Sequence, residues 1–212
     1  MKHYLANIRQ PRKKSTIKKQ IYYTIIIVFA GFLIGILQKF LDSYPDNYLP
    51  MLLQIVDIGN YFGRLSIWIL LATILSIYSE TPIRASVNVL SFFLSMLLGY
   101  YLYSKYILGF LPVSYMMIWV VLSFISTILA YICWYAKGKG LIATLITSGI
   151  MGVLLAQAFH VVGEIYMYHI MEVITWLIGV VVLRRKPKEW VLSMGISVLV
   201  TIGYQCVFPY FG

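Results

Sequence analysis

The sequence predicts an all-α fold: a polytopic integral membrane helical bundle of about seven transmembrane helices, N-terminus cytoplasmic and C-terminus outside. Three observations carry that reading. First, 61% of the 212 residues are hydrophobic and 11% are charged, against about 45–50% and about 25% in a soluble domain. Second, seven long apolar stretches alternate with short polar gaps. Third, Lys and Arg crowd into every second gap. Surplus apolar surface on this scale needs lipid as its solvent. Backbone groups in lipid must be hydrogen-bonded within their own segment, so the stretches are helices.

A spanning helix needs about 20 mostly apolar residues. Residues 1–20 read as a basic cytoplasmic arm and 21–212 as a single transmembrane domain. The predicted spans are 21–40, 61–79, 85–104, 115–136, 141–161, 167–183 and 190–208. The first has too long an apolar core for a signal peptide, and no small-x-small cleavage site follows it. It is read as an uncleaved helix. In the long loop after it, Pro45 and Pro50 interrupt any continuous helix. The apolar piece 49–58 would reach roughly 15 Å as a helix, half of a hydrocarbon core about 30 Å thick. It is expected to lie in the outer interface. The sixth span is the shortest and contains Glu172.

Of the 17 Lys and Arg, 14 fall on one side. These are Lys2, Arg9, Arg12, Lys13, Lys14, Lys18 and Lys19 in the arm, then Arg84, Lys137, Lys139, Arg184, Arg185, Lys186 and Lys188. Lys39, Arg64 and Lys105 fall on the other. The asymmetry follows the positive-inside rule and sets the orientation. Asp42, Asp46, Asp57 and Glu164 lean to the outer side. The basic arm lacks aromatic interleaving, so its expected partners are anionic lipid headgroups rather than nucleic acid.

Tyr22, Tyr23, Tyr78, Tyr101, Tyr103, Trp134, Tyr135, Tyr166, Tyr168 and Trp190 stand near span ends and are expected as interfacial anchors. Gly31 and Gly35, and Ser148, Gly152 and Ala156, form small-residue ridges for close helix packing, within the chain or between chains. Cys133 and Cys206 fall near opposite surfaces, too far apart for a disulfide, and are expected as buried packing residues.

The run FGRLSIWILLATILSIYSETPIRASVNVLSFFLSMLLGYYLYS at 62–104 and WYAKGKG at 134–140 resemble a family of small uncharacterised multispanning membrane proteins of Gram-positive bacteria. The resemblance implies a bacterial cytoplasmic membrane. It brings no activity, substrate or site residues.

Ionisable and amide side chains inside spans are costly and are therefore functional candidates. Most lie in the outer half: Arg64, Gln157, His160, Glu172 and Gln205, with Glu164 and His169 in the loop between the fifth and sixth spans. Asn88, near the inner end of the third, is the main exception. His160 and Glu164 are four apart, and His169 and Glu172 three apart, each pair neighbouring on a helix face where the helix runs that far. The set is read as an outward-facing pocket for a polar ligand or cation. The structural alternative pairs Arg64 with Glu172, or lets Arg64 snorkel outwards, and leaves the histidines solvated. Lys105 and Asp57 are expected to need no buried partner.

No cofactor is indicated. The last span holds no HxxxH, the paired glutamates of intramembrane proteases are missing, and neither GxSxG nor a P-loop occurs. The function expected is non-enzymatic: binding or translocating a small solute, or an accessory or scaffold role through helix–helix contacts.

Overall fold

The computed structural model describes residues 7–11, 15–45 and 48–208. Lys2, Arg12, Lys13, Lys14 and Asp46 lie outside them, as do residues 209–212. The described residues are mostly helical, with one small hairpin. Among them five helices are long and apolar enough to cross a membrane. They are α1 (Ile17–Ser43), α5 (Pro82–Tyr106), α6 (Val113–Cys133, prolonged by a 3-10 turn at Trp134–Lys137), α7 (Gly140–Ala158) and α9 (Pro187–Val207). Between them lie the short pieces α2 (Met51–Ile55), α3 (Ile58–Tyr61), α4 (Leu65–Tyr78) and α8 (Ile170–Val182).

Three of the seven expected spans are therefore shorter than the sequence indicates. Span 61–79 keeps only the 14 residues of α4, about 21 Å. A turn at Phe62 and Gly63 separates it from α3, and Arg64 is extended (φ −92, ψ 157). Span 141–161 ends at Ala158, because Phe159 is extended and opens a hairpin. In that hairpin β1 (Phe159–His160) pairs antiparallel with β2 (Tyr166–Met167). Val161 and Val162 favour extended backbone, and Gly163 takes φ +90 in the turn. Span 167–183 loses its first turn to the same hairpin, leaving the 13 residues of α8. The 49–58 piece is two short helices around Asp57, which sits at φ 53. The five residues of α2 reach about 8 Å, far less than a bilayer.

Helix pairing explains the small-residue ridges. A Cβ at Gly31 or Gly35 would collide with the Phe92 or Met96 carbonyl, and one at Gly99 with the Phe32 carbonyl. The first ridge thus seats α1 directly on α5. The second seats α7 on α9: Gly152 faces Ser197 and Val200, and Thr201 Oγ1 donates to the Gly152 carbonyl at 2.9 Å. Both ridges serve contacts within the chain.

The short helices α4 and α8 fill the space between these two long pairs, packing on α5 and α7 respectively and on each other. An aromatic core joins α4, α5 and α6, with Trp68 against Phe93 and Trp119. A second core of Ile77, Met151, Leu154 and Leu183 joins α4, α7 and α8.

The exposed surface is apolar along α1, α6 and α9, as at Phe29, Leu33, Phe124, Ile128 and Leu199. Many polar side chains are buried instead, including Gln38, Thr73, Ser76, Thr201 and Gln205. Water would penalise both features, whereas lipid favours them. Cys133 and Cys206 are free thiols. Cys206 is exposed rather than buried, because α9 packs on α7 through its Ser193–Ser197–Thr201–Gln205 face. Trp134 and Tyr135, expected as anchors, are buried in the core.

Candidate functional site

Arg64 and Glu172 meet between the starts of α4 and α8. Arg64 stands immediately before α4 and Glu172 lies in the first turn of α8. Arg64 Nε donates to Glu172 Oε1. Its Nη1 donates to Asp57 Oδ2 at 2.6 Å, so the guanidinium is clamped between two carboxylates and does not snorkel. Asp57 thus corrects the expectation that it needs no partner: the left-handed turn between α2 and α3 tucks it under Arg64. Asp is among the residues that tolerate φ > 0. Asn60 Nδ2 donates to its other oxygen at 2.8 Å.

Burial pushes the Asp57 carboxyl up. The Arg64 hydrogen bond, the Asn60 hydrogen bond and the charges of Arg64 and His169 outweigh it, holding Asp57 below its ordinary value. His169 Nδ1 is 3.9 Å from Asp57 Oδ2.

Tyr61 and Thr175 wall the site. Thr175 Oγ1 donates to the Met171 carbonyl at 2.7 Å. Its one proton is then committed, so Tyr61 OH, 2.5 Å away, is the donor to Thr175. Glu172 is 2% exposed and lies in the first turn of α8, where a helix N-terminus carries partial positive charge.

Satisfaction is incomplete. Arg64 Nη2, Glu172 Oε2 and Trp176 Nε1 are buried with no hydrogen-bond partner among the described residues. Trp176 lies one helical turn beyond Glu172, on the same face. Leaving such atoms unmade costs about 1–3 kcal/mol each, more when charged. Two carboxylates around one guanidinium leave one negative charge in surplus when His169, 3.9 Å from Asp57, is neutral.

The other expected residues sit elsewhere. His160 and Glu164 do not share a helix face, because the chain is a hairpin there. His160 stacks on Tyr166 with centroids 4.9 Å apart, Nδ1 lies 2.9 Å from Tyr168 OH, and Glu164 is in the exposed turn. Gln205 holds the junction of α7 with the hairpin: Nε2 donates to the Ala156 and Phe159 carbonyls, and Oε1 accepts from Val161 N. Gln157 Nε2 donates to Tyr204 OH at 3.3 Å. Of the seven candidates, only Arg64, His169 and Glu172 come together. Asp57, Tyr61 and Thr175 complete the site. Asp57 reaches the site through its left-handed turn, which its loop position in the sequence does not reveal.

At the opposite end, basic residues cap helix C-termini. Arg9 donates to the Ile77 carbonyl at 2.8 Å and to that of Trp134, and lies over the Trp134 ring at 4.2 Å. Lys137 Nζ donates to the Arg184 carbonyl. Positive charge at helix C-termini is stabilising, so Arg9 is a structural residue of the arm. Among the described residues no three His, Cys, Asp or Glu side chains gather as a metal set.

A family model described as a family of unknown function, DUF6518, matches residues 14–212. No curated protein and no solved structure matches the chain.

Proposed function

The chain belongs to the DUF6518 family, and within that family of unknown function we propose a non-enzymatic membrane protein of seven crossings that binds or passes a small polar or cationic solute at an outward-facing site on Arg64, Asp57 and Glu172. One observation carries the reading. Two short helices, of 14 and 13 residues, begin at one charge cluster, and that cluster keeps a buried, unpartnered Arg64 Nη2 and Glu172 Oε2 among the described residues. Short, interrupted membrane segments are where transporters place polar sites. The surplus negative charge favours a cation or a hydrogen-bond donor over an anion.

Seven crossings are supported by where the chain returns. Glu80, after α4, accepts from Ser15 N at 3.2 Å, just before α1. The stretch from Ser43 to Glu80 has therefore come back along the whole height of α1. Likewise Arg185, after α8, donates to Gly138 O, just before α7. The charge asymmetry supports a cytoplasmic N-terminus, and the resemblance at 62–104 and 134–140 supports a bacterial cytoplasmic membrane. The accessory reading has less behind it, since both small-residue ridges are already covered within the chain.

Thermal unfolding of the purified protein against monovalent cations, alkylamines and polyols tests the site. At least one class should raise Tm in the native protein and leave Glu172→Gln unmoved. A solute at 100 times its Kd contributes about 2.7 kcal/mol. No shift with any class, or equal shifts in both proteins, overturns the reading.

A further inference from the structure

We propose that the cleft between α1 and α4 at the arm end of the bundle is a binding site for one anionic phospholipid. Both helices pack on α5 and leave between them a cavity of about 440 Å³. It is graded along the helices. Lys19 and Arg84, in the first turns of α1 and α5, line its arm end, and Ile27, Ile74 and Leu75 line it farther along. Lys19 to Ile27 is eight residues of α1, about 12 Å, enough to separate a headgroup from the first part of an acyl chain.

The charges at the arm end suit a phosphate. Arg84 Nη2 donates to Gln20 O at 2.9 Å and to Thr24 Oγ1 at 2.6 Å. These bonds fix the guanidinium and, among the described residues, leave its Nη1 and Nε without a hydrogen-bond partner. Glu80 also lines the cleft, but its Oε2 is occupied by Ser15 N and Gln20 Nε2, each at 3.2 Å. Two cations against one anion leave a single positive charge, which one phosphodiester balances. The apolar wall chooses between sources: a free phosphate compound would leave it uncovered, whereas a lipid covers it. Basic pockets between helices on the cytoplasmic side are a recognised form of lipid site. Only the choice of leaflet rests on the orientation proposed above.

Native mass spectrometry of the full chain in neutral detergent, which has no leaflets, tests the site apart from that orientation. Phosphatidylglycerol should bind at least tenfold more tightly than phosphatidylcholine of the same chains. A basic residue near a lipid surface contributes about 1 kcal/mol, about fivefold in affinity. Lys19→Gln, which leaves the Arg84 bonds to α1 intact, should weaken phosphatidylglycerol about fivefold. Adding Arg84→Gln should bring the loss to roughly 25-fold, with a smaller loss for phosphatidylcholine, whose choline already offsets its phosphate. Ile74→Trp fills the apolar part of the cleft with the charges intact and should also weaken the lipid. Equal binding of the two lipids, an unchanged affinity in the folded Lys19→Gln protein, or displacement of the lipid by a tenfold excess of glycerol phosphate overturns the proposal.

Discussion

Arg64 and Glu172, 108 residues apart in sequence, are hydrogen-bonded at the point where the two shortest of the principal helices begin. The pairing and the shortness have one cause. A charged side chain inside a span costs about 2.5–3.5 kcal/mol at the centre and less near the ends. The chain lowers that cost by ending the helix at the charge. Arg64 stands just outside α4 and Glu172 just inside α8. The 51–64 loop and the hairpin fill the remaining height.

The first prediction concerns this pair. Arg64→Leu strips Glu172 of its one side-chain hydrogen-bonding partner among the described residues and should destabilise by about 3–5 kcal/mol, the usual cost of breaking a buried pair. Glu172→Leu should cost less, since Asp57 still holds Arg64. The double variant should be more stable than the sum of the singles implies, by at least about 1 kcal/mol. Unfolding in detergent, followed by circular dichroism, measures all three. Additive effects would show that the two groups do not interact.

Much of this was legible in the sequence, and the rest failed for stated reasons. Hydropathy and charge located all seven apolar stretches, because those patterns record the solvent directly. They overran at 61–64, 159–161 and 167–169, where apolar residues continue but the backbone turns. There Gly63 and the Val161–Val162–Gly163 run held the turn information, which a hydropathy window averages away. The Arg64–Glu172 contact was readable as a cost needing a partner. Asp57 was missed because a loop position says nothing about a left-handed turn that folds the acid inwards. Gln205 was misplaced because amides serve equally well to cap a broken helix.

The second prediction is a pH dependence. Asp57 lies below its ordinary value of 3.8 in the folded protein. Its contribution to stability is therefore fully present above about that value and is lost as pH falls through the lower folded pKa. Between those limits the native protein should lose stability on acidification more steeply than Asp57→Asn, which has no such proton to take up. Melting curves from pH 6 down to about pH 3 compare the two. Parallel curves would remove Asp57 from the clamp.

The third prediction separates glycines that are needed from those that are not. Gly35 on α1 faces the Met96 backbone, and a Cβ has no room there. Gly35→Ala should force α1 off α5 and cost about 1–3 kcal/mol, as overpacking does. Gly195, inside α9, has nothing within 4 Å of its Cβ position. Gly195→Ala should be neutral or stabilise by up to about 1 kcal/mol through helix propensity. Thermal melts of the two variants in one detergent read the contrast. Equal effects would mean that the α1–α5 contact does not depend on the small-residue ridge.

The fourth prediction is the topology, and the choice of probe decides whether it is informative. A phosphatase fused after Gly212 should be active and a fluorescent protein there dark, since the chain is read as ending outside. That result alone is weak: five crossings, with α4 and α8 both turning back, would also put the end outside. The two schemes differ after α4. With seven crossings the start of α5 is cytoplasmic; with five it is outside. Ile83 lies there and is 67% exposed, so Ile83→Cys, in a protein whose two native cysteines are replaced by Ser, reports it. Under seven crossings an impermeant maleimide should label Ile83→Cys only after the membrane is opened. A matching Asn60→Cys, on the other side of α4, should label in intact cells. Labelling of both from outside would leave α4 uncrossed, invert the charge asymmetry at Arg84, and reject the seven-crossing arrangement.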